Sequence, residues 1–204
     1  MTTLYALKPG FQRRLRPICR GLAASGVTAN QVTIAGAVIS VSTGITLSWW
    51  SAHPAIFWLL PLVLLVRMAL NALDGMLARE FGQASKLGAY LNELADVVSD
   101  TALILPFVFV APFGIWGVMA FAITAILAEL AGVLGQATGG IRAYDGPFGK
   151  SDRALALALL AAIVASGISL PVAPEWLFPA MALLALVTMV NRVRSGLRPS
   201  ATNP

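Results

Sequence analysis

At 204 residues the chain has room for one domain of ordinary size, but 58% hydrophobic residues and a mean hydropathy of +0.80 exceed what the core of a soluble domain that long requires. The formal net charge of +5 suits anionic lipid headgroups and gives no reason to invoke nucleic acid. A lone cysteine, Cys19, excludes an internal disulfide and reads as a small apolar filler.

The first 25 residues hold five basic residues but no continuous apolar core of the length a cleavable signal peptide needs. They read instead as an interfacial helix over 8–24. At about 100° per residue, Phe11, Leu15, Ile18 and Leu22 share one face while Arg13, Arg16 and Arg20 lie opposite, with a kink expected at Pro17.

A transmembrane helix needs about 20 mostly apolar residues. Stretches of that kind follow at roughly 31–51, 54–78, 87–110, 113–138, 152–170 and 176–193. The expectation is an all-α polytopic membrane protein forming one domain over 1–204, with about six spans bundled over 31–193 and a disordered tail at 199–204. On the first span Gly36, Ser40 and Gly44 recur every fourth residue, a pattern that lets helices approach closely. Trp49, Trp50, Trp58, Trp116 and Trp176 fall near span ends, where aromatic residues anchor at the interface.

Lys8, Arg13, Arg14, Arg16, Arg20, Arg79, Lys86, Arg142, Lys150, Arg153, Arg192, Arg194 and Arg198 all fall on one side of this topology. The opposite loops, near His53, near Pro112 and around 171–175, have no Lys or Arg, so the positive-inside rule expects both termini in the cytoplasm. The chain shows no internal repeat, and GGIRAYDGPFGKSDR is its one long polar connection.

The second and third spans carry unusual polar faces. Arg67, Asn71, Asp74 and Ala78 are spaced four, three and four apart and share a helix face; Gly88, Asn92, Asp96 and Asp100 do the same on the next span. The loop between them carries Arg79 and Lys86, so both faces begin at the cytoplasmic side. At about 1.5 Å of rise per residue, Asp74 lies only about 7 Å below Arg79, which describes a shallow cleft open to the cytosol. Of nine acidic residues in the chain, Asp74, Glu80, Glu93, Asp96 and Asp100 fall within one 27-residue window. A charged side chain at membrane depth costs about 2.5–3.5 kcal/mol on insertion scales, so such a group implies a compensating cation, water or ligand. Oxygen donors on facing helices suit a hard divalent ion, and Mg²⁺ commonly combines one or two carboxylates with the phosphates of a substrate. A lipid could keep its tails in the bilayer while its anionic head reached such a metal, with Gly75 and Gly88 leaving the helix backbones open to it.

The stretch NALDGMLAREFGQASKLGAYLNELAD resembles the motif of the CDP-alcohol phosphotransferases, D-x2-D-G-x2-A-R-x8-G-x3-D-x3-D. Asn71, Asp74, Gly75, Ala78, Arg79, Gly88, Asn92 and Asp96 stand at its positions with the spacing intact, and VTANQVT before the first span is similar to the family's T-P-N-x-x-T. With the six spans and the amphipathic helix, the resemblance covers nearly the whole chain. It implies a homodimeric transferase of phospholipid synthesis in the bacterial inner membrane, moving a phosphatidyl or related group from a CDP-linked lipid such as CDP-diacylglycerol to an alcohol, with Mg²⁺ or Mn²⁺ and release of CMP. By the same resemblance, Asp74 and Asp96 match metal-coordinating aspartates and Asp96 the base for the acceptor hydroxyl. Gly75, Ala78, Arg79, Gly88, Asn30 and Thr33 match positions that hold the CDP moiety. The departures are Asn71 and Asn92, which stand where the motif has its first and third Asp, as in a bacterial branch with the same NALDG variant. Each can still offer a metal a carbonyl oxygen but brings no charge, so the four motif positions fall from a formal −4 to −2 and a single ion is expected.

Lys150 and Arg153, at the cytoplasmic start of the fifth span, correspond to the family's acceptor-binding basic residues, with Arg142 earlier in the same loop. Their bland alternative is topology alone; if functional, they favour a small anionic alcohol. Glu129 and Gln136, seven apart on the fourth span, either line the same cavity or bond between helices. Arg67 is expected to pair with a carboxylate. Two readings stay open beside the transferase: a non-catalytic descendant that binds CDP-lipid or a membrane partner, and an ion or proton-coupled transporter, the latter weakened because nothing equally polar continues the path outward.

Overall fold

The computed structural model describes residues 8–138, 143–168 and 173–197. Among them the regular structure is entirely helical: α1 (Lys8–Ala24), α2 (Ala29–Trp49), α3 (Leu59–Glu80), α4 (Lys86–Ile104), α5 (Ile115–Ala137), α6 (Lys150–Ser166) and α7 (Leu177–Gly196). Short 3₁₀ turns opening on or just before Pro54, Pro106 and Pro174 adjoin α3, α4 and α7, where proline tolerates a helix start but not an interior. Among the described residues four helical segments are long and apolar enough to cross a membrane, those at 29–49, 54–80, 115–137 and 174–196. The helices α4 and α6, expected as spans, do not join them. α6 has only 17 residues and α4 carries Lys86, Glu93, Asp96 and Asp100.

Local signals explain the helix ends. α1 stops at a turn whose Gly26 has φ +77°. Thr28 then opens α2 with a capping box, its Oγ1 accepting from Gln31 N at 3.3 Å while Gln31 Oε1 accepts from Thr28 N at 2.9 Å. Ser85 Oγ accepts from Gly88 N to start α4, and Asp152 Oδ2 accepts from Gly149 N at 3.0 Å to start α6.

α2 packs along α3 and α4, α5 along α7, and α6 against α3 and the turn before it. One apolar cluster gathers at the end of the bundle near Pro54, Pro106 and Pro174. Its rings Phe57, Phe107, Phe113, Phe121 and Phe178 meet at centroid distances of 5.3 to 5.9 Å in tilted and edge-on pairs. The second cluster joins α1 to α2 and α3 through Cys19, Val32, Leu73, Met76 and Leu77. The outer surface is lipid-like: Ile45, Leu62, Leu94 and Leu183 are exposed, and Trp49 and Trp116 are 80% and 85% exposed.

α1 docks on the bundle through part of the apolar face expected for it. The helix runs without a break through Pro17, which faces outward, so the backbone acceptor it leaves unpaired lies away from the bundle. Its packed face is Leu15, Cys19 and Leu22, while Ile18 is 53% exposed. Burial pushes the Cys19 thiol above its ordinary pKa, in keeping with a packing role. On the outer side Arg16 makes a two-pronged bond to Glu80 at 2.9 and 3.2 Å, which raises the arginine pKa further and, being exposed, contributes little to stability.

Candidate active site

The polar faces of α3 and α4 do meet. Asp74, 6% exposed, accepts from Thr33 Oγ1 of α2 at 2.8 Å. One turn earlier on α3, Asn71 Nδ2 lies 3.4 Å from Asp96 Oδ1 of α4. The same oxygen receives Arg67 Nη2 at 3.3 Å and forms an ion pair with Lys150 of α6. Arg67 Nη1 bonds Asp100 Oδ1 at 2.5 Å, so Arg67 spans two successive turns of α4.

From Asp100 the network continues sideways. Arg153 Nη2 lies 3.4 Å from Asp100 Oδ2 and 2.7 Å from Glu129 Oε1, and Arg192 Nη1 lies 3.3 Å from the same Glu129 oxygen. Arg192 also donates to Ala128 O at 2.6 Å. Five consecutive helices, α3 to α7, are thereby tied by ion pairs. Two small clefts, each with room for about a single water, flank the Asp100–Arg153 pair, and neither is lined by Asp74 or Asp96.

At the mouth, Gly88 stands where α4 meets the start of α2. A Cβ there would come within 2.8 Å of Asn30 Oδ1. A Cβ on Gly75 would come within 2.9 Å of Arg79 Nη2, so the guanidinium folds over the glycine, and Ala78 packs into the cluster below. Asn30 of α2 thus meets Gly88 of α4, and Thr33 of α2 meets Asp74 of α3 beside Gly75 and Arg79. Asn92, one turn before Asp96, is half-buried on the same face.

The donor set fits a divalent ion in one way. Asp74 and Asp96 offer hard carboxylate oxygens from facing helices, and Asn71 and Asn92 add neutral amides. Among the described residues no three His, Cys, Asp or Glu side chains cluster closely enough to hold an ion by themselves. The fit is therefore to an ion that takes its remaining ligands from phosphate oxygens.

Some expected site residues stand elsewhere. Arg142 lies outside the described residues, as does the tail at 199–204. Arg153 is only 2% exposed and is held between Asp100 and Glu129, whereas Lys150, with its side chain 32% exposed, remains accessible. Arg192, read from sequence as a topology signal, is 3% exposed and serves Glu129. Glu129 bonds between helices, while Gln136 is exposed. Sequence reasoning missed the pairing of Glu129 with Arg192; the signal was there, since an apolar span carrying one acid needs a cation on a neighbouring span.

Residues 26–191 match the family model described as CDP-alcohol phosphatidyltransferase. The chain is 46% identical over 205 residues to the inner membrane protein YnbA of Escherichia coli, covering 98% of each. It is 30% identical to the phosphatidylinositol phosphate synthase of Mycobacteroides abscessus over 89% of this chain and 81% of that one. The fold matches the phosphatidylinositol phosphate synthase of Mycobacterium tuberculosis solved with CDP-DAG bound at a TM-score of 0.72 and 26% identity, covering 94% and 98% of the two chains. The same synthase in complex with manganese and citrate gives a TM-score of 0.74 at 24% identity, covering 92% and 91%.

Proposed function

The chain belongs to the CDP-alcohol phosphatidyltransferase family, membrane transferases of phospholipid biosynthesis, and from that premise we propose that it moves a phosphatidyl group from CDP-diacylglycerol to a small anionic alcohol, releasing CMP. The observation that carries this reading is the meeting of the α3 and α4 polar faces, Asn71 Nδ2 lying 3.4 Å from Asp96 Oδ1 with Asp74 one turn further along α3, beside Gly75 and Gly88, where a Cβ would crowd Arg79 and Asn30. The protein sits in the bacterial inner membrane with both termini in the cytoplasm, as the one-sided basic residues favour, and works as a homodimer.

Each residue has a task in this reaction. Thr33 fixes the Asp74 carboxylate, and Asn30, Arg79 and the open glycine backbones receive the CDP moiety. The acceptor hydroxyl oxygen attacks the phosphorus that bears the lipid, the bond from that phosphorus to the CMP oxygen breaks, and CMP leaves. The hydroxyl proton passes to Asp96, whose Oδ1 is already taken by nitrogen donors, so that Oδ2 receives it. Asp74 and Asp96 would hold a Mg²⁺ or Mn²⁺ ion, which would supply the positive charge that the pyrophosphate needs. Lys150 attracts an anionic acceptor toward Asp96, and Arg153 braces α6 behind it.

A second reading, binding of CDP-lipid without turnover, is favoured by one feature: an amide at Asn71 faces Asp96 where the motif has a carboxylate. Purified protein incubated with CDP-diacylglycerol, Mg²⁺ or Mn²⁺ and a pool of small alcohols decides between them. CMP release that disappears in Asp96→Ala supports transfer, and fractionating the pool identifies the acceptor. Binding of CDP-diacylglycerol with no CMP, and turnover gained in an N71D/N92D variant, would give the second reading the field.

A further inference from the structure

Asp96 is crowded on one side. Its Oδ1 meets three nitrogen groups, Arg67 Nη2 at 3.3 Å, Asn71 Nδ2 at 3.4 Å and the Lys150 ammonium, arriving from α3 and α6. A carboxylate oxygen has two lone pairs, so this one has none left for a metal. Had position 71 carried a carboxylate, two anions would face each other across the helix pair, and a bridging cation would be needed to hold them. The Asn71 amide removes that need by pointing a donor where the anion would be.

Charge leads to the same place. The ion pairs joining α3 to α7 connect four cations, Arg67, Lys150, Arg153 and Arg192, to three carboxylates, Asp96, Asp100 and Glu129. Asp74, bonded to the neutral Thr33, brings this group to a formal balance of zero. One divalent ion and a doubly negative pyrophosphate leave the charge of this group unchanged, whereas a second divalent ion would add two positive charges to it.

Lys150 is also held in place. It is the first residue of α6, whose start is fixed by the Gly149–Asp152 cap. One turn on, Arg153 is locked between Asp100 and Glu129. The ammonium therefore reaches Asp96 from a firm base.

We propose that Lys150 is the resident cation of this metal site: its ammonium occupies at Asp96 the position a second divalent ion would take, and the site accepts one ion only. This rests on the reading of the site as a metal-dependent transferase. It gives Lys150 a role set by Asp96 in addition to any attraction for the acceptor, and it makes the Asn71 and Asn92 substitutions and Lys150 parts of one arrangement.

The test counts Mn²⁺ by electron paramagnetic resonance on the purified full-length protein in detergent with CDP as the nucleotide probe. Wild type binds one Mn²⁺ per chain. N71D/N92D, which restores two carboxylates but keeps Lys150, takes a second ion at least tenfold more weakly than N71D/N92D/K150M, and N71D/N92D/K150R behaves as the lysine form. Two ions in wild type, or equal second-ion affinity with and without the lysine, overturns the proposal; a wild-type count of two does so even where the triple variant does not fold. CMP release from CDP-diacylglycerol is followed in the same preparations. The expected ion counts with no turnover in any variant would sink the transferase reading and leave Lys150 as the cation of the site, whereas turnover with two ions in wild type would do the reverse.

Discussion

Thr33 Oγ1 donates a 2.8 Å hydrogen bond to Asp74 Oδ2, linking the first turns of α2 to a carboxylate that is 6% exposed. The same hydroxyl lies 3.1 Å from Ala29 O, but its single proton is better used on the anion. A hydrogen bond to a charged group is worth about 1.5–3 kcal/mol. Thr33→Val, which keeps the shape and loses the hydroxyl, therefore lowers kcat/KM for the CDP donor by roughly tenfold or more, while Thr33→Ser keeps most of it. Steady-state CMP release at varied CDP-diacylglycerol checks this.

Glu129 is the single carboxylate between Arg153 and Arg192, at 2.7 and 3.3 Å, and both arginines are nearly inaccessible. Removing one partner of a buried ion pair leaves uncompensated charge and costs about 3–5 kcal/mol. Glu129→Ala lowers the unfolding temperature in detergent, and Glu129→Gln, which retains an acceptor, lowers it less. A denaturation series on the three proteins measures the order; equal melting of all three would mean that Asp100 alone satisfies Arg153.

Much of this arrangement was legible beforehand. Helices follow from long apolar runs, and the shared faces of Asn71 with Asp74 and Asn92 with Asp96 follow from spacing alone, because helical period fixes which residues stand together. Partner choice was harder. Lys150 and Asp96 are 54 residues apart, and only the docking of α6 beside α3 and α4 brings them together. Basic residues in a membrane chain carry two signals at once, topology and pairing, and hydropathy does not separate them: Arg153 and Arg192 count toward the positive-inside tally yet are buried against Glu129.

The recurrence of Gly36, Ser40 and Gly44 has unequal members. A Cβ on Gly44 would lie 2.2 Å from Ala102 O of α4, a backbone atom that only a shift of the helix can move. A Cβ on Gly36 would meet Leu70 Cδ1 at 3.7 Å, an ordinary contact. Overpacking typically costs about 1–3 kcal/mol, and contact with backbone belongs at the upper end. Gly44→Ala is thus destabilised and, by parting α2 from α4, loses donor turnover. Gly36→Ala folds and turns over like wild type. Melting temperatures together with CMP release test the pair, and equal behaviour of the two alanines would refute the close α2–α4 approach.

Gln83, in the loop joining α3 to α4, reaches across to the start of α2. Its Oε1 accepts from Ala29 N at 2.6 Å and its Nε2 lies 3.4 Å from Val27 O. The first N–H groups of a helix have no partner within it, so the side chain caps α2 from outside and fixes the loop that leads into α4, where Gly88 meets Asn30. Loss of a cap costs about 1 kcal/mol, a modest effect on a whole bundle. The effect on donor binding is larger in kind, because the loop and the α2 start both adjoin Asn30 and Gly88, proposed above to receive the CDP moiety. Gln83→Ala raises the KM for CDP-diacylglycerol several-fold with little change in kcat. Gln83→Glu keeps the acceptor at a helix N-terminus, where negative charge is welcome, and stays closer to wild type. A fall in kcat with KM unchanged would instead give Gln83 a part in the transfer step and remove it from donor positioning.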